Sequence, residues 1–190
     1  VRDFFKDGVA HFKNSSILNF TTYKHELLQL ENKEPLIADI GKNAKEIKLN
    51  SKYDFIENNE YQSGDFFYLW SKPLFNYYHT INDSLGCIYY YFKIKETKPN
   101  LKFLINKDPK PPLKNYPPYV FELLDLLDIE FEFASEKYIY ENLYYGDNLN
   151  SDINGQRSKL FKKEYFFILD KLIRSALNRK LDIPIYDNIY

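Results

Sequence analysis

The chain has no methionine, one cysteine, one tryptophan and six glycines among its 190 residues. Each scarcity excludes something. A lone cysteine, Cys87, cannot close an internal disulfide, so folding needs no oxidising compartment, and the composition favours a reducing one such as the cytoplasm. Neither a Walker loop nor a Gly-x-Gly-x-x-Gly stretch occurs, so a nucleotide would not be gripped by a glycine-rich loop. A Gly-x-Ser-x-Gly elbow is also absent, and nothing around Cys87 marks it as a nucleophile, so covalent hydrolase chemistry is unsupported. No apolar run is long enough to span a membrane, and Val1-Arg2-Asp3-Phe4 does not open a signal peptide. A chain that begins at Val1 without methionine reads as a processed product or a piece of something longer.

Charge of one sign is lacking too. Lys and Arg number 26 against 27 Asp and Glu, a net charge of -1, and a nucleic-acid partner would call for a basic balance or a basic face. The nearest candidates, residues 107–114 and 159–163, are interrupted by prolines or apolar residues and read as solvated surface.

Aromatic residues are plentiful: 18 Tyr and 16 Phe, with Trp, bring them to 18% of the chain. At 190 residues this is enough for one domain with a proper core and too little for two generous ones. Residues 1–60 mix short apolar clusters with polar punctuation and read as a strand-rich entry segment. Residues 61–190 alternate strand and helix patterns. An aromatic strand over 64–70 points into a helix over 76–95, which ends at Thr97-Lys98-Pro99-Asn100, and a short apolar strand follows over 101–105. Five prolines between 106 and 118 impose an irregular loop. A helix over 119–128, a strand over 129–133, an aromatic strand over 137–145 and a long helix over 158–178 complete the series, and residues 183–190 look like the start of a further strand. This alternation predicts an α/β fold, a Rossmann-like layered and mostly parallel sheet with helices on both faces.

His79 and Asp83 carry the chemistry. Four residues apart near a helix start, they share a face and can touch. The stripe Ile81, Leu85, Ile88, Phe92 builds the core. His79, Asp83, Gly86 and Tyr90 repeat its spacing two residues earlier, a rotation of roughly 200°, which turns them away from that core. A carboxylate beside an imidazole can fix its tautomer and stabilise its charged form, while a helix N-terminus favours the neutral, proton-accepting ring. A general base with its orienter is one reading; a capping or surface hydrogen bond is the plain one. A metal site lacks ligands, because His11 and His25 lie far upstream without Cys or paired acids at ligand spacing. Cys87 reads as a small buried hydrophobe, and the tyrosine runs at 89–91 and 144–145 as core rather than sugar-stacking platforms.

The segment Phe75-Asn76-Tyr77-Tyr78-His79-Thr80-Ile81-Asn82-Asp83-Ser84-Leu85 resembles the Asn-aromatic-x-His-x-x-x-acid signature of glycosyltransferase family 61. The order of elements that follows is similar to that family, and Asn188-Ile189-Tyr190 looks like the opening of its Ile-Tyr-Ile-Ser-Arg strand. The likeness covers about residues 60–190. It implies the N-terminal lobe of a GT-B type enzyme, two Rossmann-like lobes facing each other, with the second lobe lying beyond this chain and the lobe inactive by itself. It further implies inverting transfer from a nucleotide-sugar donor to an acceptor hydroxyl on a glycan or protein, without cofactor or metal. His79 takes the place of the motif histidine, flanked by Asn76 as a substrate-binding group and Asp83 as orienter; spacing leaves open which of the three does chemistry. A non-catalytic carbohydrate-binding or structural module, or an unrelated Rossmann-like enzyme, would share the same pattern.

Overall fold

A computed structural model of the chain describes residues 8–19, 25–29, 34–36, 60–69, 77, 80–106, 116–135, 137–146 and 162–179. Within these, seven strands form one sheet: β1 (Val9–Asn19), β2 (His25–Gln29), β3 (Glu34–Leu36), β4 (Glu60–Tyr68), β5 (Lys102–Asn106), β6 (Phe131–Ala134) and β7 (Tyr138–Gly146). The helices are α1 (Leu85–Lys95), entered through a π turn at Thr80–Ser84, α2 (Pro118–Leu126) and α3 (Lys162–Asn178).

The sheet order is β3-β2-β1-β7-β4-β5-β6. β7, β4, β5 and β6 run parallel, whereas β1 is antiparallel to β7 and β2, and β2 is antiparallel to β3. The fold is therefore mixed α/β, with parallel and antiparallel pairings evenly divided among the described residues. The entry segment is part of this sheet: β1 is zipped to β7 from Val9 opposite Gly146 to Ser15 opposite Tyr140.

Two cores lie on opposite faces. On one, Phe67, Leu69, Phe103, Ile105 and Tyr144 of the sheet meet Leu85, Ile88 and Tyr91 of α1, Val120 and Leu124 of α2, and Ile168 of α3. Rings do much of the filling: Phe103 stacks on Phe67 at 5.6 Å and takes the edge of Tyr91 at 4.8 Å. Such offset and edge-on pairs are the arrangements the ring quadrupole prefers. The other core is built from strand residues alone among those described, including Ala10, Phe12, Phe66, Tyr68, Leu104, Tyr140 and Tyr145.

That second face is closed by bending. Gly64 (φ 114) sits where the β4–β7 register shifts between Gln62 and Asp65, and Asn14 (φ 48) falls at the same level of β1. An extra residue in a ladder kinks and twists its strand. In β1 the inward side chains pass from Ala10 and Phe12 to Ser15 and Ile17, and in β7 from Tyr145 and Leu143 to Tyr140, so both strands change parity at this level. The chain goes from Ala134 to Tyr138 through residues 135–137, at most about 14 Å of backbone. β4 and β5 lie between β6 and β7, so this short path requires the early part of β7 to fold back across the face, and Ser135 N donates to Tyr140 Oη at 3.0 Å.

Most helices follow expectation, with one correction. Gly86 and Tyr90, assigned by spacing to the face turned from the core, are buried in the structure. A β-carbon at Gly146 would lie 2.9 Å from the Cys87 carbonyl oxygen, so α1 rests directly on the end of β7 and both of its faces are covered. Cys87 is buried, as its composition predicts. The expected helix start at residue 76 and the strand beginning at 183 lie outside the described residues.

Candidate functional site

One edge of the sheet gathers the chemistry. β4 and β7 are neighbours, yet the chain leaves β4 toward β5 and β6 and only then returns to β7, so the order β6-β5-β4-β7 reverses direction at β4. In open α/β sheets, the crevice beyond the carboxyl ends of the strands at such a reversal is where ligands bind.

The connection leaving β4 at this edge leads into the π turn Thr80–Ser84. A single π turn at a helix start is uncommon and is often found at functional positions. Thr80 and Ser84 are both buried here, Ser84 to 1% exposure, and Ser84 Oγ has no hydrogen-bond partner among the described residues. Serine before a helix ordinarily caps it through the hydroxyl, but Ser84 makes no such bond. A buried hydroxyl left unsatisfied costs on the order of 1–3 kcal/mol. Glu164, in the first turn of α3, likewise buries Oε2 without a partner among the described residues.

Tyrosines bring the helix starts together. Tyr77, 63% exposed, meets Tyr119 in the first turn of α2 edge to face at 5.3 Å. Burial, and then the neighbouring Tyr77, raise the Tyr165 phenol above its usual range. At the far ends, Arg179 just past α3 bonds the Asp125 carboxylate and reaches Asp128 Oδ1 at 2.9 Å, so α2 and α3 run alongside in the same direction. Tyr77, three residues before the π turn, thus lies beside the starts of α2 and α3.

Of the residues singled out from the sequence, Asp83 belongs to the π turn and immediately precedes Ser84. Its side chain, and both Asn76 and His79, lie outside the described residues, as does the anticipated contact between His79 and Asp83. Ser84 and Glu164 were not singled out from the sequence. A serine and a glutamate at helix starts are commonplace, and only their burial without described partners distinguishes them.

A second polar group occupies the helix-side face near the bulges. His11 Nε2 and Asn142 Oδ1 are 3.0 Å apart, and the imidazole stacks on Tyr144 at 4.4 Å with 10° between planes. Lys98 Nζ donates to Asp65 Oδ1 at 2.8 Å, and Tyr144 Oη donates to the same oxygen at 3.2 Å. The hydrogen bond to Asp65 leads the effects that hold Lys98 above its ordinary range, followed by that to Tyr144. Gly64 N donates to Glu141 Oε2 at 2.6 Å, which pins the bulge. These groups satisfy one another and brace the bend. No cluster of three or more metal-ligating side chains occurs among the described residues. No described helix is long and apolar enough to cross a membrane.

Comparison of the chain with protein-family models, with characterised proteins and with solved structures finds no match.

Proposed function

We propose that this chain is one lobe of an inverting glycosyltransferase, moving a sugar from a nucleotide-sugar donor to an acceptor hydroxyl. The observation that carries the reading is the position of the signature. In sequence, residues 76–83 lie between β4 and α1, the strand at which the order reverses and the helix that follows it, and the last of them belong to the π turn that carries the buried Ser84 hydroxyl. A ligand hydroxyl or phosphate oxygen reaching Ser84 Oγ would relieve that burial cost. The parallel order β6-β5-β4-β7, with α1 between β4 and β5 and α2 between β5 and β6, supports a Rossmann-like lobe as the scaffold.

In the proposed step, neutral His79 takes the proton of the acceptor hydroxyl while that oxygen attacks the anomeric carbon. The bond from that carbon to the donor's phosphate oxygen breaks, and the nucleotide leaves with its electron pair. Asp83 orients the imidazole and stabilises it once charged. Asn76 holds substrate hydroxyls. A second lobe supplies most of the donor site, so the lobe alone is inactive.

The test is His79→Ala in protein that carries both lobes. Transfer from a radiolabelled nucleotide sugar should fall by at least about 100-fold with the circular dichroism spectrum unchanged. Undiminished turnover would remove His79 from its role. The exposed ring of Tyr77 supports a second reading, a non-catalytic carbohydrate-binding module. Such a module would keep its glycan affinity in the His79→Ala protein and show no transfer in the wild type.

A further inference from the structure

α3 is apolar on two opposite sides. Its inner side enters the helix-side core through Ile168, with Tyr165, Phe167 and Leu172 packed beside it. Its outer side carries Phe166, Ile173 and Leu177, which are 59%, 54% and 61% exposed. At about 100° per residue, spacings of seven and four place these three within about 40° of one another, opposite Ile168. A solvent-facing helix ordinarily carries one apolar stripe and a polar back; a helix apolar on both sides has a partner on each. The inner partners are α1, through Tyr89 and Phe92 against Phe167, and α2.

From this geometry we infer that the outer stripe pairs with the same stripe of a second copy, the two helices antiparallel about a two-fold axis. The stripe is self-complementary. Reversal about the point between residues 171 and 172 exchanges Phe166 with Leu177 and Asp170 with Ile173, so each Phe166 meets the partner's Leu177 at both ends of the seam. Charge is complementary at the centre. Arg174 Nε lies 2.7 Å from Asp170 Oδ2 of its own helix, and the partner's Asp170 comes opposite the turn that carries Ile173 and Arg174. Two carboxylates and two guanidiniums close into a neutral ring, which answers the cost of placing Asp170 on the seam. One polar residue in an apolar seam fixes register and orientation. The isologous contact closes on itself and so ends at a dimer. None of this depends on the catalytic reading above.

Analytical ultracentrifugation of the chain over a dilution series tests the pairing. The wild type should show a reversible monomer–dimer equilibrium, and Ile173→Glu should weaken dimerisation by at least about tenfold by placing an unmatched charge on the seam. The melting curve of the variant at monomeric concentration should not move, since Ile173 touches no core. Register is read by cysteine pairing, for which the buried Cys87 is silent. A mixture of Phe166→Cys and Leu177→Cys chains should form a disulfide-linked heterodimer on mild oxidation, in preference to either homodimer. A chain that stays monomeric at every concentration, a dimer indifferent to Ile173→Glu, or preferential linkage of Phe166→Cys to itself would each overturn the proposal.

Discussion

The ring of Tyr90 lies over Gly8 so closely that a β-carbon on that glycine would fall 2.3 Å from Tyr90 Cζ. On its other side Tyr90 meets Gly146, where a β-carbon would stand 3.1 Å from Cδ2. Gly8 precedes β1 and Gly146 ends β7, so the two glycines open one slot in the middle of the sheet, and α1 settles into it.

Filling that slot should loosen the domain. Gly146→Ala is expected to destabilise by about 1–3 kcal/mol through overpacking against backbone. For a chain of this size each kcal/mol lowers Tm by about 2–4 °C. Gly8→Ala should cost at least as much, because Gly8 also holds φ +81, where a β-carbon is strained. Calorimetry of both variants checks this, and melting curves superimposable on the wild type would show that the helix can yield.

Ser84→Ala should separate stability from function. Removing a buried hydroxyl that bonds nothing among the described residues leaves stability unchanged or raises it by up to about 1 kcal/mol. If the hydroxyl serves a ligand, sugar transfer by protein with both lobes falls in the same variant. A destabilised Ser84→Ala with normal transfer would mean that Oγ has a structural partner and no part in binding.

Arg179 links the trailing ends of α2 and α3 by bonds to the Asp125 carboxylate, the Asp125 carbonyl and Asp128. Because these groups are largely solvated, Arg179→Ala should leave the global melting temperature close to that of the wild type. The local effect is larger. Amide exchange should quicken in the last turns of both helices and leave β4 and β5 untouched, and uniform quickening across the domain would contradict a local clasp.

Alkali should unfold the domain through its tyrosines. Burial pushes the phenol of Tyr140 up to about 12, and those of Tyr68 and Tyr145 also well above their ordinary range. A group whose folded pKa is raised contributes fully below its unfolded value, near 10, and that stability is lost as pH climbs toward the folded value. Ultraviolet titration at the phenolate band should therefore show a solvated class ionising near pH 10 and a late class appearing only with loss of helical signal. A single ionisation of all 18 tyrosines on a folded chain would refute this.

Regular periodicity made much of the fold readable. The helices at 85–95, 118–126 and 162–178 and the strands at 102–106 and 138–146 lie close to where apolar spacing and breakers set them. β1 was harder to see because its alternation changes phase at Asn14: Ala10 and Phe12 point inward before it, Ser15 and Ile17 after it. A strand whose parity slips in mid-course shows no sustained period of two. The burial of Tyr90 was hidden for another reason, since the space it occupies is created by Gly8 and Gly146, 82 and 56 residues away in the chain. At the candidate site the sequence pointed to the connection after β4. It gave no sign of Ser84, whose residue type is ordinary and whose isolation exists only in three dimensions.

β1 pairs with β2 only through residues 15–19 and with β7 through residues 9–15, so its first half waits for a partner, residues 140–146, that is made well over a hundred residues later. At roughly 5–20 residues per second, ribosomal synthesis leaves that strand with an open flank for on the order of ten seconds. Ala10 and Phe12 emerge long before Leu143 and Tyr145, the apolar groups of β7 that enclose them. The nascent chain thus carries a strand paired with β2 over its second half and open over its first, and closure of the centre of the sheet waits until Gly146 has left the exit tunnel.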